Sequence, residues 1–179
     1  MKLNKPKFTR LQNGMFRLLC MKAGERLTQL EAAEMLGVSP AAVAKSIPLL
    51  EKEGLVNVSR EHGRVFIGFD RDGRMAVELK MTENLRMIFE SGLVPVLEEK
   101  FPGAAIILFG SYAKGEDTTK SDIDIAVVGS REKEPQLESI EKQLGREIRL
   151  NFYSSFSDIK KELRENILSG ILLAGRIEL

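Results

Sequence analysis

Phe109-Gly110-Ser111-Tyr112-Ala113-Lys114-Gly115-Glu116, followed by Ser121-Asp122-Ile123-Asp124-Ile125-Ala126-Val127-Val128, is the stretch on which the fold of this 179-residue chain turns. Just upstream, Ala104-Ala105-Ile106-Ile107-Leu108-Phe109 is a continuous apolar run between Pro102-Gly103 and Gly110, which predicts a short strand buried on both faces. Gly110 permits a sharp turn and a close backbone approach to a ligand, and Ser111 can offer its hydroxyl and amide to phosphate oxygens. Alternate residues of a strand share a face. Asp122 and Asp124 therefore point the same way and can converge on one hard cation, while Ile123 and Ile125 enter the core. Two carboxylates held this close repel each other. A Mg²⁺ between them and a triphosphate removes that cost and helps neutralise the phosphates.

Around this stretch the apolar spacing is helical. Residues 82–100 carry Leu85, Ile88 and Phe89, then Val94, Val96 and Leu97, with breaks at Gly92 and Pro95 that predict an interrupted helix. Residues 133–144 predict a charged surface helix with Leu137, Ile140 and Leu144 inward. Residues 157–168 predict another, with Ile159, Leu163, Ile167 and Leu168 inward. Lys114 and Lys120 could steer a triphosphate, although plain surface lysines are the commoner use.

Gly110-Ser111, the ten residues Tyr112 to Ser121, then Asp122 and Asp124 form a Gly-Ser-x10-Asp-x-Asp pattern. It resembles the nucleotidyltransferase superfamily that includes DNA polymerase β, most closely its minimal members, over roughly residues 84–179. The resemblance implies a mixed sheet with flanking helices and Mg²⁺-dependent transfer of a nucleoside monophosphate with release of pyrophosphate. It implies that Asp122 and Asp124 are catalytic and metal-binding, that Gly110, Ser111 and Ser121 bind nucleotide, and that the ligands are Mg²⁺ and an NTP, with ATP foremost. Minimal members with this spacing also resemble antitoxins that modify a partner toxin with AMP, so a protein acceptor or toxin joins the expected partners.

The same resemblance implies a third carboxylate in a hydrophobic-Asp-hydrophobic frame on a neighbouring strand. Here that strand reads Glu147-Ile148-Arg149-Leu150-Asn151-Phe152-Tyr153, and the frame puts Arg149 where the acid belongs. Three readings stand. Glu147 by a shift of register, or Asn151 as a neutral oxygen donor, would preserve an enzyme. Alternatively, Arg149 binds phosphate directly, and the chain is a non-catalytic, nucleotide-responsive transcription regulator.

The first half has a different organisation. Met15, Phe16, Leu18 and Leu19 recur at helical spacing within residues 11–21, and Gly24 breaks the pattern. Thr28 and Glu31 form a capping box for a short second helix with Leu30, Ala33, Met35 and Leu36 buried, ended by Gly37. Ser39 and Pro40 are good N-cap and first-turn residues for a third, carrying Val43, Ile47 and Leu50 inward towards Gly54. Pro48 threatens to kink or shorten it. Residues 55–58 and 65–69 are β-prone and are joined by Ser59-Arg60-Glu61-His62-Gly63-Arg64. This order resembles winged helix-turn-helix transcription regulators. The resemblance implies that Ser39, Ala41, Ala42, Lys45 and Ser46 face a major groove of double-stranded DNA, that Arg60 and Arg64 reach phosphates or the minor groove, and that a homodimer reads two half-sites. A plain solvated helix face that serves only protein contacts is the alternative.

The expected fold class is thus α+β: an N-terminal winged helix-turn-helix over residues 1–72, a linker over 73–83 opened by Asp70-Arg71-Asp72-Gly73-Arg74, and a nucleotidyltransferase-like domain over 84–179. Charge follows the division. Residues 1–70 hold eleven Lys/Arg against seven Asp/Glu, a net +4, and the remainder sixteen against nineteen, a net −3. The basic half is the expected DNA partner, since phosphate neutralisation supplies most non-specific affinity. A 43% hydrophobic, 30% charged chain suits a folded soluble protein. No apolar stretch is long enough to cross a bilayer, and no signal-like run follows Lys2, Lys5, Lys7 and Arg10, so a cytoplasmic protein without a membrane partner is expected. The single cysteine, Cys20, excludes an internal disulfide and a cysteine-built zinc site, and its helical setting predicts a buried thiol.

Overall fold

The computed structural model describes residues 8–178, which divide into two compact units between Lys80 and Met81. The basic positions Lys2, Lys5 and Lys7 lie outside the described residues. Among the described residues no helix is long and apolar enough to cross a membrane.

The first unit begins with α1 (Arg10–Met21), β1 (Arg26–Thr28), α2 (Gln29–Leu36) and α3 (Pro40–Lys52), followed by the hairpin β2 (Val56–Glu61) and β3 (Arg64–Phe69). Two capping boxes start helices: Thr9 with Gln12 on α1, which apolar spacing alone does not reveal, and Thr28 with Glu31 on α2. Such caps contribute about 1 kcal/mol each. The three strands form an antiparallel sheet in the order β1-β3-β2, so β1, which has no signal of its own in the sequence, widens the expected two-stranded wing. The wing is longer and its turn tighter than expected. Only His62 and Gly63 turn the chain, at φ 49° and 74°, the left-handed pair of a two-residue hairpin.

Met15, Leu19, Cys20, Val43, Ile47, Leu50 and Ile67 form this unit's core. Cys20 is buried there as a free thiol. Two assignments to the buried face of α2 are corrected: Leu30 and Met35 are 58% and 53% exposed. Ala32 and Ala33 are buried and Leu36 is half-buried, so the inward stripe follows a rotation of the helix that the apolar pattern alone did not fix. Pro48 does not shorten α3, which continues to Lys52.

The chain enters the second unit within α4 (Arg74–Glu90), and this helix replaces the linker expected over 73–83 with regular structure. The turn cluster ends at Gly73 because Arg74 onward lacks any further breaker. The predicted interruption falls at Ser91-Gly92, where Gly92 (φ 77°) opens α5 (Leu93–Lys100), and Pro95 is tolerated in the first turn. There follow β4 (Ala105–Phe109), α6 (Gly110–Lys114), β5 (Ile123–Val128), α7 (Glu138–Leu144), β6 (Ile148–Tyr153), a 3₁₀ turn (Phe156–Asp158), α8 (Lys161–Leu168) and β7 (Ile171–Ala174). The predicted helix over 133–144 is confined to its second half, with Leu137, Ile140 and Leu144 buried as expected. That over 157–168 is split by the extended residue Ile159, which is buried together with Ile167. Leu163, Leu168 and Phe89 are exposed instead, because their helices pack along a narrower stripe than the apolar spacing suggested.

The sheet order is β6-β5-β4-β7. β5 runs antiparallel to β4 and parallel to β6, and β4 is antiparallel to β7, giving the expected mixed α+β architecture. On one face Ala105, Ile107, Phe109, Ala126 and Val128 pack against Phe156, Ile159 and Ile167. The residue that continues this face of β5 at its N-terminal end is Asp124.

Candidate active site

β4 is buried along its whole length and delivers the chain at Gly110. Gly110 has φ +75°, and a Cβ built there would lie 2.8 Å from Asp124 Oδ2. Glycine is thus required twice, by the left-handed backbone and by the carboxylate lying against it. Antiparallel pairing of Phe109 with Asp124 produces this approach. Ser111, half-buried, follows in α6, whose last residue, Lys114, donates from Nζ to Asn166 Oδ1 at 3.1 Å. Lys114 is therefore engaged with α8 rather than extended towards a ligand.

Asp122 and Asp124 are both half-buried, Asp122 directly before β5 and Asp124 within it, with Ile123 and Ile125 in the core, as period-two alternation requires. Burial first and the charge of Asp122 second push the Asp124 carboxyl above the usual carboxylate range, and Arg149 pulls it back. Ser121 braces the preceding turn. Its Oγ accepts from the Thr118 amide at 3.0 Å, and its own amide donates to Thr118 O at 3.0 Å. This clasp closes the turn that presents Asp122.

The parallel register pairs Asp124 with Arg149 on β6, which places the guanidinium on the carboxylate face. Arg149 Nη2 lies 3.0 Å from Asp122 Oδ2, and Nε lies 3.8 Å from Glu147 Oε1. Glu147 itself precedes β6 and is largely exposed. Asn151, two residues on, donates from Nδ2 towards Ile125 O and Arg149 O. Among the described residues no group of three or more His, Cys, Asp or Glu side chains is gathered to hold a metal ion. Asp122 and Asp124 form a two-carboxylate pair.

A support that sequence reasoning missed lies behind the loop between α6 and β5. Asn84 on α4 donates from Nδ2 to Tyr112 O at 2.9 Å and to Asp117 Oδ1 at 2.7 Å, and Arg146 Nη2 stands 3.6 Å from Asp117 Oδ2. All three side chains are buried. Asp117 and Arg146 read as loop charges in sequence, with no pattern to mark them as interior.

In the first unit, Ser39 caps α3 by accepting from Ala42 N at 3.2 Å. Ser39, Ala41 and Lys45 are exposed and Ala42 is half-buried. Ser46 is a correction. It is buried, and its hydroxyl donates to Ala42 O at 3.0 Å, so it cannot belong to an outward face. Arg60 and Arg64 are exposed near the wing tip, but Arg60 pairs with Val65 and Arg64 with Glu61, so they project from opposite faces of the ribbon.

Known proteins share both patterns. Residues 91–173 match the nucleotidyltransferase domain family, and residues 18–57 match a winged helix-turn-helix DNA-binding family. A Methanocaldococcus jannaschii protein named "Putative protein adenylyltransferase MJ1379" is 35% identical over 82 residues, which are 41% of this chain and 82% of that protein. A second protein of that organism, with the same name but for the designation MJ0128, is 56% identical over 32 residues, 18% of this chain and 33% of its own length. Among solved structures, the adhesin competence repressor of Streptococcus pyogenes aligns with a TM-score of 0.41 at 22% identity, over 53% of this chain and 69% of that one. Zinc-responsive ZitR of Lactococcus lactis aligns with a TM-score of 0.41 at 24% identity, over 55% and 66%. By the matched domain and by its identity across most of the first relative's length, the chain belongs to the nucleotidyltransferase family and carries a winged helix-turn-helix ahead of that domain.

Proposed function

We propose that this chain is a Mg²⁺-dependent nucleotidyltransferase that moves the nucleoside monophosphate of an NTP, ATP foremost, onto a protein acceptor, and that its N-terminal domain binds double-stranded DNA. The observation that carries this reading is the convergence of Asp122 and Asp124 on one face directly against the Gly110 turn. The donor set suits a hard cation: two half-buried carboxylates, with Asp124 raised by burial and by its neighbour's charge, are a pair that a divalent ion relieves. Asp122 and Asp124 would hold that ion, which when bound supplies charge neutralisation at the phosphates. Gly110 keeps side-chain bulk away from the carboxylates, and Ser111 offers donors to the phosphates. In the transfer, an acceptor oxygen bonds to the α-phosphorus while the bond to the bridging oxygen breaks, pyrophosphate departs, and the acceptor proton passes to solvent. The printed names of the relatives favour a protein acceptor.

The Arg149–Asp122 ion pair favours a second reading, in which the domain holds nucleotide without transferring it and acts as a nucleotide-responsive regulator. One experiment separates the two. The full-length protein is incubated with Mg²⁺ and each α-labelled NTP, and label retained on protein and pyrophosphate released are followed beside an Asp122→Ala/Asp124→Ala control. Pyrophosphate release abolished in the control supports transfer. Retention without release supports the regulator, and neither signal defeats both.

A further inference from the structure

We infer that Arg149 stands in for a second divalent cation, so that this site takes a triphosphate with one metal ion and a fixed guanidinium. The inference rests on the nucleotide-site reading above and specifies how that site meets the phosphate charge. Two-metal phosphoryl-transfer sites clamp both the attacking and the leaving oxygens. Asp122 and Asp124 suffice for one ion, with phosphate oxygens and water completing its shell. A second ion needs further acidic ligands, and among the described residues none is gathered beside this pair.

The sheet shows what occupies that place. The Asp124–Arg149 register puts the guanidinium on the carboxylate face, 3.0 Å from Asp122 and 3.8 Å from Glu147, so it spans the two acids. Glu147 faces the guanidinium instead of replacing it. Asn151 turns its amide donor to the backbone of β5 and β6, and it brings no charge to offset that of a second ion. Arginine keeps its charge at any ordinary pH, so a dication at this position meets permanent repulsion. The same charge is available to a triphosphate, which a planar guanidinium can grip through two donors. Ground-state binding is thereby retained, while the ion that activates an attacking hydroxyl is lost, and this predicts tight holding with slow transfer.

The test is Mn²⁺ binding to the full chain followed by electron paramagnetic resonance, with and without α,β-methylene ATP, for wild type, Arg149→Gln and Arg149→Asp. The Arg149 side chain is 58% exposed, so both variants should fold, and circular dichroism melts verify that. With the analogue, wild type should take one Mn²⁺ per chain and Arg149→Asp two. Without it, Arg149→Gln should bind Mn²⁺ about three- to tenfold more tightly than wild type, the size expected for removing one partly screened charge. Two ions in wild type, or one in a folded Arg149→Asp, overturns the inference. The metal-only arm keeps the two readings apart. Tightening in Arg149→Gln sustains the role of Arg149 even if the analogue never binds, in which case the nucleotide reading fails. Unchanged Mn²⁺ affinity overturns the role of Arg149 even if the analogue binds.

Discussion

The carboxylate face of the sheet and the outer face of α3 use polar side chains in opposite ways. On the sheet, backbone register sets Arg149 of β6 beside Asp124 of β5, Arg149 pairs with Asp122 just before β5, and Gly110 of a third segment is pressed against Asp124. On α3 and the wing, Lys45, Arg60 and Arg64 are exposed, and the two arginines leave opposite faces of the ribbon. A converging site fails as a whole when one member moves. A dispersed one loses strength one contact at a time.

The contrast is sharpest in stability. Asp117→Ala should cost about 3–5 kcal/mol, because it removes the buried carboxylate that both Asn84 and the Arg146 guanidinium face. Both tyrosines of the chain, Tyr112 and Tyr153, lie in the second unit, so urea denaturation followed by tyrosine fluorescence reads this loss directly. A cost below about 1 kcal/mol would mean that the loop does not depend on the network.

Gly110→Val should come next. The left-handed backbone and the contact with Asp124 make a side chain there cost about 1–3 kcal/mol and lower Mn²⁺ affinity by at least about tenfold. Unaltered Mn²⁺ binding in a folded Gly110→Val protein would show that the carboxylates do not need the close turn.

In the front unit, Lys45→Ala combined with Arg64→Ala should lower the slope of log affinity against log salt by about two, close to one per lost phosphate contact. Gel shifts on double-stranded DNA across a salt series measure it. Each single substitution should give half the effect, and a single substitution that abolished binding would contradict the dispersed picture.

The pH response is a smaller effect. The Asp124 carboxyl is raised, so between its unfolded and folded values the native state binds more protons, and stability from this group falls as pH rises through the folded value. Cation binding runs the other way, because it needs the carboxylate: Mn²⁺ affinity should weaken on acidification at a higher pH than for an ordinary aspartate. Asp124→Asn should remove the pH-dependent step from the stability profile. The smallest effect belongs to Ser46→Ala, which should leave the DNA salt slope unchanged and alter stability by less than about 1 kcal/mol, since it deletes a hydroxyl that serves Ala42 O inside its own helix.

These two faces also differ in how far they can be read from sequence. The period-two alternation that sets Asp122 and Asp124 on one side is a local property of an extended chain, and β5 follows it. Gly110 stands out in the sequence for its freedom of conformation, although the reason it cannot be replaced, the Asp124 oxygen beside it, is visible only in the folded sheet. On helices, local pattern goes less far. Ser46 and Lys45 are neighbours in sequence, yet one is buried and the other exposed, because a rotation of α3 about its axis decides which residues meet the core.

What the sequence determined by itself is whatever depends on near neighbours: the capping box at Thr28, the breaks at Gly37, Gly54 and Gly92, the all-apolar strand β4, and the Gly-Ser and Asp-x-Asp pair at their fixed spacing. What only the tertiary structure decided is whatever depends on partners distant along the chain. Arg149 matters because parallel pairing brings it beside Asp124, and Asn84, Asp117 and Arg146 matter because three segments enclose them together. Charge and hydrogen bonding act over a few ångströms of space, and only folding sets which residues fall within that distance.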